Sequence, residues 1–103
     1  MMKYPKHKYK AKPKKIDNIY FSSSKEANYY GQLKMLQKAG EIKFFLTQVP
    51  FTLPGGIKYK LDFMEFWKDG TIKYIDIKGY MTPVSKLKIK QVEDLYPIKI
   101  EIK

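Results

Sequence analysis

Apolar positions along the chain change their spacing several times, and each change marks a different element. Ile16 to Phe21 reads as a short hairpin or turn, because Asp17-Asn18 supplies two residues that tolerate left-handed backbone. A helix is predicted over about residues 23 to 39. Ser23 followed three positions later by Glu26 fits a capping box, Tyr29, Tyr30, Leu33 and Leu36 recur on one face, and Gly40 ends the run. Phe44 to Phe51 reads as a strand closed by Pro54-Gly55-Gly56, and Ile57 to Trp67 and Thr71 to Lys78 as two more, joined at Lys68-Asp69-Gly70. A second helix opens with Thr82 as cap and Pro83 at its first position, carries Val84, Leu87, Gln91, Val92 and Leu95, and stops before Pro97. Ile98, Ile100 and Ile102 then alternate with Lys99, Glu101 and Lys103 as a last strand. The order αβββαβ predicts an α/β fold in which helices flank a mixed β-sheet.

At 103 residues the chain has room for one domain with a small core. Its composition excludes much chemistry. The absence of cysteine removes disulfide frameworks, thiolate zinc sites and thiol nucleophiles, and the single histidine, His7, argues against His-rich metal sites and His-centred triads. No apolar run approaches the roughly 20 residues of a membrane span, and the lysine-rich start lacks the apolar stretch of a secretory signal. An intracellular, soluble protein with no membrane partner is expected.

The 21 basic residues, all lysine, outnumber 10 acidic ones, for a net charge of +11 that favours a polyanionic partner such as nucleic acid. Codon bias in an AT-rich genome would give the same composition. Lysine contacts phosphate as a point charge and lacks the planar fork that reads guanine, so sequence-specific groove readout is disfavoured. Residues 1–15 hold seven of the lysines and no acid and read as a flexible basic arm, leaving 16–103 as the folded domain. Lys10, Lys12, Lys14 and Lys15 of the arm are candidates for salt-dependent phosphate contact, as are Lys60 and Lys90.

Four residues stand out as candidate chemistry: Glu26, Asp62, Asp76 and Lys78. Glu26 is explained as the partner of a capping box, yet its helical angle also places it inside the apolar arc of Tyr29, Tyr30, Leu33 and Leu36. Asp76 and Lys78, two apart on a predicted strand, share a face, and the strand is apolar enough on both faces to be a covered central one. Whether Asp62 joins them depends on the hairpin. A two-residue loop at Asp69-Gly70 sets Asp62 opposite Ile77, off the Asp76 face. A three-residue loop at Lys68-Asp69-Gly70, with Gly70 left-handed, sets Asp62 opposite Asp76 and Lys60 opposite Lys78; glycine at the third position favours it.

Two opposed aspartates repel unless a cation sits between them. Magnesium or manganese suits hard oxygen ligands, and the Ile77 carbonyl and waters would complete the shell. Such an ion activates water and polarises a phosphodiester oxygen, and Lys78 would orient that water or stabilise the growing negative charge. The competing reading is a structural ion-pair patch of Lys78, Asp76 and Lys60.

Asp62, with Asp76 fourteen positions on and then Ile77 and Lys78, resembles the PD-(D/E)XK signature of restriction endonuclease-like nucleases, with Leu61 at the usual proline. Glu26 matches the extra acid of the branch that includes archaeal-type Holliday-junction resolvases. A closer resemblance is to small phage-encoded proteins of a domain family of unknown function. It is carried by Phe21-Ser22-Ser23-Ser24-Lys25-Glu26-Ala27, Gln48-Val49-Pro50-Phe51, Asp76-Ile77-Lys78-Gly79, and Leu87-Lys88-Ile89-Lys90 before Tyr96-Pro97. The match spans residues 16 to 97.

The resemblance implies a restriction endonuclease-like core and Mg2+- or Mn2+-dependent cleavage of DNA, with Asp62, Asp76 and Glu26 as metal ligands or water-positioning groups and Lys78 as catalytic lysine. Gln48 either faces the site or satisfies a backbone group, and Lys90 either touches phosphate or solvates its helix. The Gln-xxx-Tyr motif of exonuclease-type relatives is not met, since Leu95 lies four positions after Gln91. The expectation is therefore a homodimeric endonuclease acting on branched or duplex DNA in a phage-infected host. The alternative is a non-catalytic basic module that binds nucleic acid through lysines and exposed aromatics.

Overall fold

Asp17 and Asn18 both adopt positive φ, 54° and 65°, the backbone of a two-residue turn whose twist suits antiparallel strands. In the computed structural model, which describes residues 14–103, this turn folds β1 (Lys14–Ile16) onto β2 (Ile19–Phe21). Lys14 and Lys15, expected in a flexible arm, are instead strand residues opposite Phe21 and Tyr20, because the turn extends pairing back through them. His7, Lys10 and Lys12 lie outside the described residues.

Helix α1 (Ser24–Lys38) begins where expected: the Ser23 hydroxyl accepts the Glu26 amide at 3.1 Å, and Gly40 at φ 85° follows the last turn. Its buried residues, Glu26, Ala27, Tyr30 and Leu33, form one stripe. Phe21 of the hairpin packs on the Tyr30 ring at 5.0 Å, and the Tyr30 hydroxyl donates to Asp17 at 2.6 Å, so hairpin and helix brace each other.

The main sheet contains β3 (Ile42–Thr52), β4 (Lys58–Trp67), β5 (Ile72–Asp76) and β6 (Ile100–Ile102), in that spatial order. The first two pairings are antiparallel; β6 returns parallel to β5 after α2 (Pro83–Leu95), making the sheet mixed and the fold α/β. Thr82 caps α2 by accepting the Ser85 amide at 3.0 Å. Ile98, expected in the last strand, falls outside it: its amide bonds Tyr96 O at 2.8 Å, a tight turn that delays pairing until Ile100. No helix among the described residues is long and apolar enough to cross a membrane.

Two apolar clusters share the sheet. Phe45, Phe63 and Ile75 pack with α1 and Phe21, whereas Val49, Phe51, Tyr59 and Leu61 pack with Ile89 and Val92 of α2. Odd-numbered residues of β3 and β4 thus serve α1 along one half of the strands and α2 along the other. The exchange falls at Gln48, whose φ of 54° is a left-handed strain within a strand, opposite Asp62 in the register Thr47↔Phe63, Val49↔Leu61.

The β4–β5 loop is the three-residue form. Trp67 N–H bonds Thr71 O at 2.9 Å, Gly70 takes φ 93°, and the ladder runs from Phe66↔Ile72 to Phe63↔Ile75. A Cβ added at Gly70 would meet no atom within 4 Å, so the cost of a side chain there is that of the left-handed backbone alone. Gly70→Ala is expected to destabilise the fold by about 1 kcal/mol, read as a lower urea midpoint; an unchanged midpoint would refute the strain at this turn.

Candidate active site

Continued by one residue, the β4–β5 ladder sets Asp62 opposite Asp76, but the strands part there. The Ile77 amide donates not to a backbone carbonyl but to Asp62 Oδ2, at 2.8 Å. On the other side, Asp76 O accepts Lys103 N–H at 2.9 Å, and Lys78 N–H donates to Lys103 O at 3.3 Å, so β5 stays tied to the β6 end. A fork opens between β4 and β5, and the two aspartates stand at its base.

Asp76 is 2% exposed. Its Oδ2 accepts the Tyr59 hydroxyl and lies 3.3 Å from the Lys78 ammonium. Asp62 is half-buried and pushed up to about 8, first by burial and then by its hydrogen bond with the Asp76 carboxyl; the Ile77 amide pulls the other way. The charges of Asp76 and Glu26 add to the rise. A carboxyl beside a buried carboxylate takes up a proton when no cation compensates it.

Glu26 completes the acidic side. Its backbone makes the capping bond to Ser23, but its side chain turns inward, is 4% exposed and accepts the Ser22 hydroxyl at 3.1 Å. The capping-box and core-facing readings are thus both partly realised. Protein donors engage one oxygen of each acid: Oδ2 of Asp62, Oδ2 of Asp76 and Oε1 of Glu26. Among the described residues, no three acidic or histidine side chains draw close enough to enclose an ion. The Asp62–Asp76 pair is the tight element, and Glu26 acts on it at a distance.

Lys78 joins this cluster; Lys60 does not. Lys60 is exposed and forms no ion pair among the described residues, so the expected Lys78-Asp76-Lys60 patch reduces to Lys78 alone. Lys90 is exposed on α2. The Gln48 amide donates to Tyr20 O at 2.8 Å, fastening β3 to the hairpin, which realises its backbone-satisfying alternative. Ile77 meets Asp62 through its N–H.

Three contributors escaped the sequence reading. Tyr59 and Ser22 are the hydroxyl donors to Asp76 and Glu26. Lys25 bridges Lys78 O and Lys103 O at 2.9 and 3.0 Å, reinforcing the tie between the β5 and β6 ends. A further buried acid, Glu65, is 1% exposed and bonded by Tyr29 Oη at 2.5 Å and Trp67 Nε1 at 2.9 Å. Glu65 had a signal, since it interrupts the odd-numbered apolar row of Tyr59, Leu61, Phe63 and Trp67. Tyr59 had none, because nothing local shows which helix that end of the row faces.

The family described as "Protein of unknown function (DUF1064)" matches residues 6–102. No curated protein and no solved structure matches the chain.

The raised Asp62 carboxyl has a pH consequence. Its value in the fold lies above the 3.8 of a free aspartate, so its contribution to stability is complete below about pH 4 and is lost as pH rises toward 8. Asp17 and Asp69 are held low, chiefly by the Tyr30 hydroxyl and the Thr71 amide, so their opposite contributions are in place by about pH 5. In EDTA the thermal midpoint is expected to fall between about pH 5 and 8, with Asp62→Asn flattening the fall; equal slopes would exclude Asp62 as the titrating group.

Proposed function

The chain belongs to the DUF1064 family, and for this member we propose a Mg2+-dependent DNA endonuclease of the PD-(D/E)XK kind, selective for branched DNA such as a Holliday junction. The observation that carries the reading is the pairing of half-buried Asp62 with buried Asp76, with the Lys78 ammonium 3.3 Å from Asp76. Two carboxylates held together away from water are costly unless a cation enters between them. A non-catalytic basic module accounts for the lysines but gives no reason to bury Glu26, Asp62 and Asp76 toward one place.

The donor chemistry fits a hard divalent ion: carboxylates, each with one oxygen anchored by a protein donor, and between Asp62 and Asp76 a shared proton whose place a cation would take. Asp62 and Asp76 would hold Mg2+ or Mn2+, with the Ile77 carbonyl as a further ligand and Glu26, farther off, as a water-positioning group. When bound, the ion supplies a nucleophilic hydroxide and neutralises charge on the phosphodiester. Lys78 donates from its ammonium to the scissile phosphate, countering the charge that grows there, and the Asp76 ion pair keeps it in reach. Lys14, Lys15, Lys60 and Lys90, together with Lys10 and Lys12, bind flanking phosphates without reading bases. Two copies in a homodimer would each cut one strand of a two-fold-symmetric junction, enlarging an interface that one small domain cannot supply.

The decisive experiment incubates a labelled four-way junction and a matching linear duplex with protein and Mg2+, beside Asp76→Asn and Lys78→Ala. The wild type should cut the junction in preference, and each variant should lose at least about 100-fold in rate while still binding. Binding without cutting by the wild type would leave the module reading in its place. Affinity for the junction should also fall steeply with salt, and removing residues 1–13, with five lysines, should flatten that slope. An unchanged slope would exclude those lysines from the interface.

A further inference from the structure

Asp76 has two protein partners on the same oxygen. Lys78 reaches Oδ2 from two positions along the chain, and Tyr59 reaches it from the start of β4, three residues before Asp62. Tyr59 is 5% exposed and packed with Leu53, Leu61, Ile89 and Val92, so its ring is held by the core that α2 builds. A tyrosine hydroxyl ordinarily titrates at about 10, so at neutral pH it meets Asp76 as an uncharged donor.

A neutral donor and a cation do different things to a carboxylate. Lys78 alone would fix Asp76 only by neutralising it, and would tie its own ammonium to that duty. A tyrosine hydroxyl fixes the same oxygen without cancelling the charge that attracts a metal, and leaves the ammonium free to shift toward a phosphate. Outer partners of this kind orient ligating carboxylates and typically account for 10- to 100-fold in metal affinity.

We propose that Tyr59 is a positioning residue for Asp76, holding Oδ2 so that Oδ1 is presented to a divalent cation at the fork between β4 and β5. The inference rests on the metal-centre reading above and adds a role for a residue outside the Asp62–Asp76–Lys78 motif.

The test is calorimetric titration of the metal-free chain with Mn2+ alone, comparing wild type with Tyr59→Phe, which removes one oxygen and keeps the ring. The expected result is about 10-fold or greater weakening of Mn2+ binding in Tyr59→Phe. A merely structural hydroxyl would lower the thermal midpoint in EDTA and leave the Mn2+ dissociation constant of the folded fraction unchanged, which would overturn the proposal. Should Tyr59→Phe not fold, the wild type itself answers: with 13Cζ-labelled tyrosine, the Tyr59 resonance should move during Mg2+ titration with the midpoint of a calorimetric Mg2+ titration of the same chain. A resonance that stays still overturns the role of Tyr59. A wild type that binds Mn2+ as tightly as Tyr59→Phe sinks this inference and spares the metal centre. A wild type that binds neither ion removes the metal centre and, with it, the role of Tyr59.

Discussion

The hydrogen bond from the Ile77 amide to Asp62 Oδ2 takes the place of the next rung between β4 and β5. A side chain closing a backbone ladder lets the strands diverge without leaving a buried N–H unpaired, and it draws an aspartate into the gap. Asp76, the last residue of β5, stands beside that aspartate, its Oδ2 bonded by Tyr59 and paired with Lys78. Tyr59 and Lys78 on Asp76 and the lifted proton affinity of Asp62 are responses to these two acids, while Lys25 bridges the chain just beyond the ends of β5 and β6.

The same fork explains why the fold has two small cores rather than one. Sheet faces exchange helices where β3 carries its left-handed residue, Gln48, and that point lies across from Asp62. One half of each long strand is covered by α1 and the hairpin, the other by α2. Asp76 is buried and Asp62 half-buried where the two apolar clusters meet, which strengthens their electrostatics in either sense, as a penalty without a cation and as an attraction with one. Backbone strain at Gln48 beside such a pair is the kind of local cost that accompanies function.

Glu26, Asp76 and Glu65 are buried and Asp62 is half-buried, whereas Asp17, Glu41, Asp69, Asp94 and Glu101 lie exposed with Lys14, Lys15, Lys60 and Lys90. Lysines outnumber acids 21 to 10, so the net charge of +11 suits a surface that gathers a polyanion, while the inward acids suit a centre that takes a cation.

Much of this was legible from residue order, because the governing signals are local. Ser23, Thr82 and Pro83 set the helix starts; Gly70 set a three-residue loop, and from that loop alone Asp62 came to face Asp76; the angle of Glu26 among tyrosines and leucines marked it as inward-facing. The pairing of Lys14 and Lys15 in a strand, the left-handed turn of Gln48, the solvent position of Lys60, and the donors Tyr59 and Ser22 required the assembled molecule. Caps, turns and periodicity act over a few residues and are written in composition. Which face of a twisted strand meets which helix is settled by packing between segments far apart in the chain, and no short window of sequence contains it.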